Sequence, residues 1–402
     1  MLIVLALIHF AIAGLIMAFV NHIGLMPWRR APDAHWTERA RLLYPARETA
    51  GRFRVLLPVL IPLFWYNHDY SSCEWVINIL STYLGAVVGC YPLFRESSPR
   101  VTFKWWFYST FCHAIFNVYL IGGLLACITF MPPVLGWQTL VVVILYFALA
   151  NPLPGEILNG LSLRAGYLKP AGERLQRLVR DAAVVAGVVP KTVWQLTWPY
   201  PSIRVTPGRP AIFATDQLLA DFSDEEIVAL CTRELAKISA PKSFWDKPLA
   251  FRLCLLPALF IIPLNHYWPA HGLLMIVPAL FLAVWANRNS LKRKLDADQV
   301  AAGPPTPDSP FARALEKIHR ENLLPAVSGG DLRLDLYQRM ITGGITPDFP
   351  APKPPSGFTR VGSFILVLIL LITLVAGGSH TKSEAHYNHG TNMGTNQIIN
   401  TN

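Results

Sequence analysis

Long apolar runs alternate with short polar connections along this chain, and the alternation predicts a polytopic α-helical membrane protein. Residues 2–20 (LIVLALIHFAIAGLIMAFV) form the first run. No basic segment precedes it and no cleavage site follows, so it reads as a signal anchor rather than a removed signal peptide. Residues 55–66 are apolar but short, with Pro58 and Pro62 inside, and fit either a short span or a re-entrant piece. Residues 74–94 form a third run. Runs at about 105–130 and about 134–152 make a hairpin turning at Met131-Pro132-Pro133, with Trp105, Trp106, Tyr108 and Trp137 placed as interfacial anchors. Two more runs, 248–265 and 270–286, turn at Asn265-His266-Tyr267-Trp268-Pro269, and a last run covers 361–377. The expectation is about eight spans.

Residues 155–247 break this pattern. Leu175, Leu178, Val179, Ala182 and Val185 recur at helical spacing, which predicts an amphipathic helix over Gly172 to Ala186, stopped by Gly187 and Pro190. Thr192–Thr197 and Ala211–Thr215 alternate like short strands, with Pro199, Pro201, Pro207 and Gly208 in the turn between them. A second helix is expected from Asp224 to Ser239. Ser223 and Glu226 form a capping box, Phe222 and Ile227 are spaced as a hydrophobic staple, and Pro241 ends it. A helical stretch over about 291–340 follows the seventh span, interrupted by a Pro-rich linker at Gly303–Pro310.

Composition supports the membrane assignment, with 52% hydrophobic and 15% charged residues. The net charge of +10 does not point to nucleic acid, because the cations cluster beside the apolar runs. The segment after the first run, to Arg54, holds seven Arg (29, 30, 39, 41, 47, 52 and 54) against three acids. With eight spans every basic connection falls on the cytoplasmic side, and the N-terminus and the C-terminal tail lie opposite. The six Cys lie mostly in or beside apolar segments without a CxxC, which makes them small buried hydrophobes.

The candidate chemistry lies on the capped helix, in Arg233-Glu234-Leu235-Ala236-Lys237. With His at 233 and 237 this would be HExxH, in which two imidazoles one turn apart grip zinc and the Glu acts as general base. Here the Glu remains and both ligand positions are cations. A guanidinium keeps its proton and an ammonium has no lone pair, so zinc is expected to be absent.

Around that helix, RDAAVVAGVVPKTVWQLT (Arg180–Thr197), AIFATDQLL (Ala211–Leu219) and Asp224–Lys237 resemble successive segments of the HtpX and CAAX prenyl protease family of integral membrane zinc metallopeptidases. The resemblance covers roughly residues 155–345. Lys294-Leu295-Asp296-Ala297-Asp298 is similar to that family's second motif, with Asp298 at the supporting Asp and Lys294 where a ligand Glu is expected. Ala314–Leu323 and Leu336–Met340 resemble its closing helices. The family's substrate-strand motif has no clear counterpart, with Ser202-Ile203-Arg204 nearest. The resemblance implies a degenerate, zinc-ligand-lacking member, placed in a bacterial inner membrane. The organisation is then a membrane region at 1–154 (about five spans), a cytoplasmic, mainly α metallopeptidase-like domain with a small β element at 155–345, a Pro-rich linker at 346–360, the last helix at 361–377 and a polar, disordered tail at 378–402.

Losing a dication beside Glu234 and Asp298 would leave carboxylates unpaired in a partly buried place. A salt-bridge network of Arg233, Lys237 and Lys294 with Glu234, Asp298 and Asp296 is expected to compensate; solvated charges on a drifted face, or an anion pocket made from the surplus cations, are the alternatives. The functional expectation is a catalytically inactive scaffold subunit, with the lipid bilayer and other membrane subunits as partners. An active metallopeptidase with substitute ligands, or a transporter or channel component, stands as the alternative. The spans hold almost no charge, which disfavours conduction. His113 in the fourth span is read as hydrogen-bonded to a neighbouring helix, and His380, Glu384, His386 and His389 as part of the tail rather than a metal site.

Overall fold

The structure, a computed structural model, describes residues 2–64, 72–117, 127–128, 130–149, 153–206, 211–239, 253, 256–257, 259–267, 294–303, 309–327, 335–342 and 345–368. The expected span at 270–286, most of that at 248–265, the side chain of His113 and the whole tail lie outside the described residues. Contacts divide the chain into two compact units, one of residues 1–35, 41–103 and 355–402, the other of residues 36–40 and 104–354.

The first unit is built on α1 (Leu2–Arg29), α2 (Trp36–Phe64) from Arg41 onward, and α3 (Ser72–Ser97). Glycine lets α1 and α3 approach closely: a Cβ on Gly85 would strike the carbonyl of Phe10, and one on Gly89 that of Gly14. His9 reaches Asn78, Asn21 Nδ2 donates to the Gly89 carbonyl at 3.3 Å, and Arg29 clamps Glu96 with two bonds of 2.6 Å. These pairs advance together along both helices, so α1 and α3 run parallel. The helical residues 360–368 are fixed to α2 near their start, where Thr359 N donates to Thr49 Oγ1 at 3.0 Å.

Among the described residues, two helices are long and apolar enough to cross a membrane, Leu2–Arg29 and Ile77–Ser97. About eight were expected. Residues 55–64 are not a separate short element: they continue α2, whose first half is the Arg-rich segment read as a cytoplasmic connection. The hairpin's second arm, α5 (Trp137–Leu149), follows α4 (Phe103–Asn117) and is apolar but only 13 residues long.

In the second unit α6 (Leu153–Arg164) leads into a four-stranded sheet in the order β1-β2-β4-β3. The strands are β1 (Leu168–Pro170), β2 (Thr192–Leu196), β3 (Ile203–Thr206) and β4 (Ala211–Thr215). β2 and β4 are parallel and both edge strands antiparallel. Only β2 and β4 were expected; β3 occupies what the prolines made look like a plain turn. α7 (Glu173–Ala186) follows β1, starts at Gly172 and ends on Gly187, whose φ of 67° is the left-handed conformation glycine tolerates. It buries Leu175, Leu178, Val179, Ala182 and Ala183, while Val185 points outward rather than inward as expected. Ile212 and Ala214 of β4 join this core from one sheet face. After α8 (Asp216–Asp221) comes α9 (Asp224–Ser239), which adds Ile227, Leu230, Cys231 and Leu235. α10 (Ile261–Tyr267) lies further along the chain, and α11 (Pro310–Glu321) and α12 (Leu336–Thr342) close the core with Phe311, Leu315, Leu336 and Met340.

Candidate functional site: a buried ion-pair chain on α9

α9 is fixed at its start by local chemistry. Ser223 N donates to a Glu226 carboxylate oxygen at 2.9 Å and Glu226 N donates to Ser223 Oγ at 3.3 Å, the reciprocal bonds of a capping box. Phe222 and Ile227 are both buried in the shared core. Asp224 is clasped by Arg174 at 2.6 Å and Arg177 at 3.2 Å, and the Arg174 hydrogen bond holds its carboxyl below the usual range. Three acids in the first turn also complement the positive end of the helix dipole.

With Leu230 and Leu235 pinned inward, Arg233, Glu234 and Lys237 face the helix formed by residues 294–302. Arg233 Nε donates to Asp298 Oδ1 at 2.5 Å, and Arg233 Nη1 to Glu234 Oε1 at 3.0 Å. Lys237 Nζ donates to the same Glu234 oxygen. Arg339, on α12, grips Asp298 with two bonds, Nε to Oδ2 at 2.6 Å and Nη2 to Oδ1 at 3.1 Å. The result is one chain of contacts, Lys237–Glu234–Arg233–Asp298–Arg339, drawn from three separate elements. The Glu234 and Asp298 side chains are only 7% and 9% exposed. Three cations meet two carboxylates, an excess of one positive charge.

Two members of the expected network are elsewhere. Lys294 and Asp296 are exposed and make no ion pair with a described residue. At about 100° per residue, Asp296 lies roughly 200° from Asp298, on the far side of the helix. Lys294 is one turn, about 6 Å, before Asp298, where solvent reaches its ammonium, and the Asp298 oxygens already hold three guanidinium N–H groups. Arg339 takes the place expected for Lys294. Only its position in a short helix beyond Asp298 marked it in the sequence, because a pairing 41 residues away has no local signature.

Burial shapes the electrostatics. It pushes the Lys237 ammonium below its usual value, with Glu234 opposing, and does the same to Arg339, with Asp298 opposing. His319 on α11 has a buried Nδ1 without a hydrogen-bond partner among the described residues; burial, then the Arg339 cation, push its pKa down to about 4, so it is neutral at pH 7. The Cys231 thiol is pushed up to about 12 by burial and by Glu234, which makes it no nucleophile. A cavity of about 100 Å³ adjoins Asp298 and Arg339, walled by Leu295 and Phe311.

Zinc does not fit these residues. Neither Arg233 nor Lys237 offers a lone pair, and both Glu234 and Asp298 are engaged by cations. Among the described residues, no three His, Cys, Asp or Glu side chains gather where a metal ion could be held. No protein-family model matches the chain, and no curated protein is similar to it.

Proposed function

We propose that this chain is a catalytically inactive, metallopeptidase-like membrane protein that serves as a scaffold subunit. What carries the reading is the replacement chemistry on α9: the positions at which an HExxH helix bears its imidazoles hold Arg233 and Lys237, and these cations, with Arg339, neutralise Glu234 and Asp298. A dication's electrostatic role passes to side chains, while its Lewis acidity and its bound water are lost.

The proposal includes a polytopic membrane region with the α9 unit in the cytoplasm. Parallel α1 and α3 support the polytopic region, because two parallel spans require a crossing between them. The apolar residues 55–64 that end α2 extend about 15 Å at 1.5 Å each, about half of a bilayer's hydrocarbon core, and begin that return.

Purification of the full chain in mild detergent tests the scaffold. A stoichiometric partner is expected, retained when Glu234 is replaced by Gln. Peptide hydrolysis by the purified protein that E234Q abolishes is the opposite result and makes it an enzyme.

A further inference from the structure

α7 turns one side to the core and leaves another apolar side uncovered. Val184 is 84% exposed and Val185 63%, and past Gly187 the side chain of Val189 is 79% exposed. Val184, Val189 and Val193 wall a groove of about 590 Å³ between α7 and the start of β2, with Gln176 at one end and Arg180 and Lys191 on its rim. No carboxylate lines it, and neither cation makes an ion pair with a described residue. Val184 and Val189 are exposed together in this one concavity rather than scattered singly, which marks it as a candidate interaction surface.

The shape and chemistry narrow the occupant. Gln176, Arg180 and Val184 stand exposed at i, i+4 and i+8 along α7, a ridge about 12 Å long at 1.5 Å per residue, with the buried Val179 and Ala183 at the floor beside it. That is the footprint of two turns of a facing helix, whose own anchors recur at the same spacing. Strand addition is closed off here, because β2 is hydrogen-bonded on both sides, to β1 and to β4. A bilayer is a poor match: the groove is concave, and it has none of the Trp or Phe that interfacial surfaces use. The two unpaired cations select for acid on the incoming segment and against base.

We propose that this groove binds a short amphipathic helix of a partner protein, its aliphatic side chains entering between α7 and β2 and its acidic residues meeting Arg180 and Lys191. This rests on the scaffold reading and supplies its missing partner surface.

The test displays a random library of peptides of about 15 residues, four helical turns, to the full-length protein in detergent. The selected peptides are then measured by fluorescence anisotropy. The enriched sequences are expected to combine aliphatic residues at i, i+3 or i+4 and i+7 with Asp or Glu. V184D and the R180E/K191E double variant should each weaken their binding by about tenfold or more while leaving the melting temperature unchanged. Lysine in place of the peptide's acids should abolish binding. Enrichment of no such sequence, equal binding by the variants, or a photocrosslinker at Val189 that couples to a second copy or to lipid overturns the proposal. Failure of peptide binding in a zinc-free protein sinks the groove alone, and zinc in a protein that still binds peptide sinks the pseudopeptidase reading alone.

Discussion

Arg233 on α9 donates from Nε to Oδ1 of Asp298, 65 residues further along the chain, at 2.5 Å. The second carboxylate oxygen of Asp298 belongs to Arg339. One buried acid thus joins α9, the 294–302 helix and α12. Such a junction does not by itself add stability, since withdrawing each ion from water costs several kcal/mol and the attraction roughly returns it. Its value lies in what happens when a partner is removed.

Removing Asp298 leaves two guanidinium groups facing each other in a site where both side chains are less than one-fifth exposed. D298N is expected to lose about 3–5 kcal/mol, the cost of breaking a buried pair. The R233M/D298M/R339M variant removes Asp298 together with both of its guanidinium partners, leaves Glu234 paired with Lys237, and is expected to recover most of that loss. Thermal unfolding of the full chain in one detergent measures both. Equal, small losses in the two variants would mean that the charges are solvated.

His319 gives the site an acid limit. The unfolded chain protonates it near 6.5, while the folded chain keeps it neutral down to about 4. Between those values the unfolded state binds more protons, so stability falls as the pH is lowered through this window. At about 1.4 kcal/mol per unit the full contribution is about 3 kcal/mol. H319Q should flatten the loss between pH 6.5 and pH 4, as followed by melting temperature against pH. An unchanged slope removes His319 from the explanation.

The cap of α9 was legible in the sequence because every part of it is local: Phe222, Ser223, Glu226 and Ile227 lie within six residues. The same holds for α7, whose 3.6-residue period and closing Gly187 set its limits. The period blurred only at the stripe's edge, where Ala183 was buried instead of Val185. β3 was missed because Pro201 and Pro207 outweigh four alternating residues on a sheet edge. Arg339 was missed for a different reason: nothing near a charge says which distant carboxylate it will meet. The motif comparison brought Asp298 to α9, and helix geometry then put Asp296 on the wrong side.

The capping box sets the start of α9, and with it the direction in which Arg233 and Glu234 face. S223A removes the hydroxyl that accepts from Glu226 N and is expected to cost about 1 kcal/mol. S223N, which restores a side-chain acceptor, should return most of it. Melting temperatures of the two variants decide this, and identical values would show that the cap does not hold the helix.

If α9 carries a converted metal face, then restoring ligands should restore the metal. R233H/K237H/R339Q places two imidazoles one turn apart and frees the Asp298 carboxylate that Arg233 and Arg339 reach. About one zinc per chain is expected after dialysis against zinc and then buffer, with affinity lost as the imidazoles protonate. A triple variant that folds and takes up no zinc would show that α9 and the 294–302 helix do not meet as a metal site requires.

The most direct test is the zinc content of the unaltered full chain, purified in detergent without chelator and measured by elemental mass spectrometry, with E234Q beside it. Less than about 0.1 zinc per chain is the predicted result, since structural and catalytic zinc sites hold their metal through purification. Near-stoichiometric zinc would contradict the assignment of Arg233, Lys237 and Arg339 as the metal's replacement.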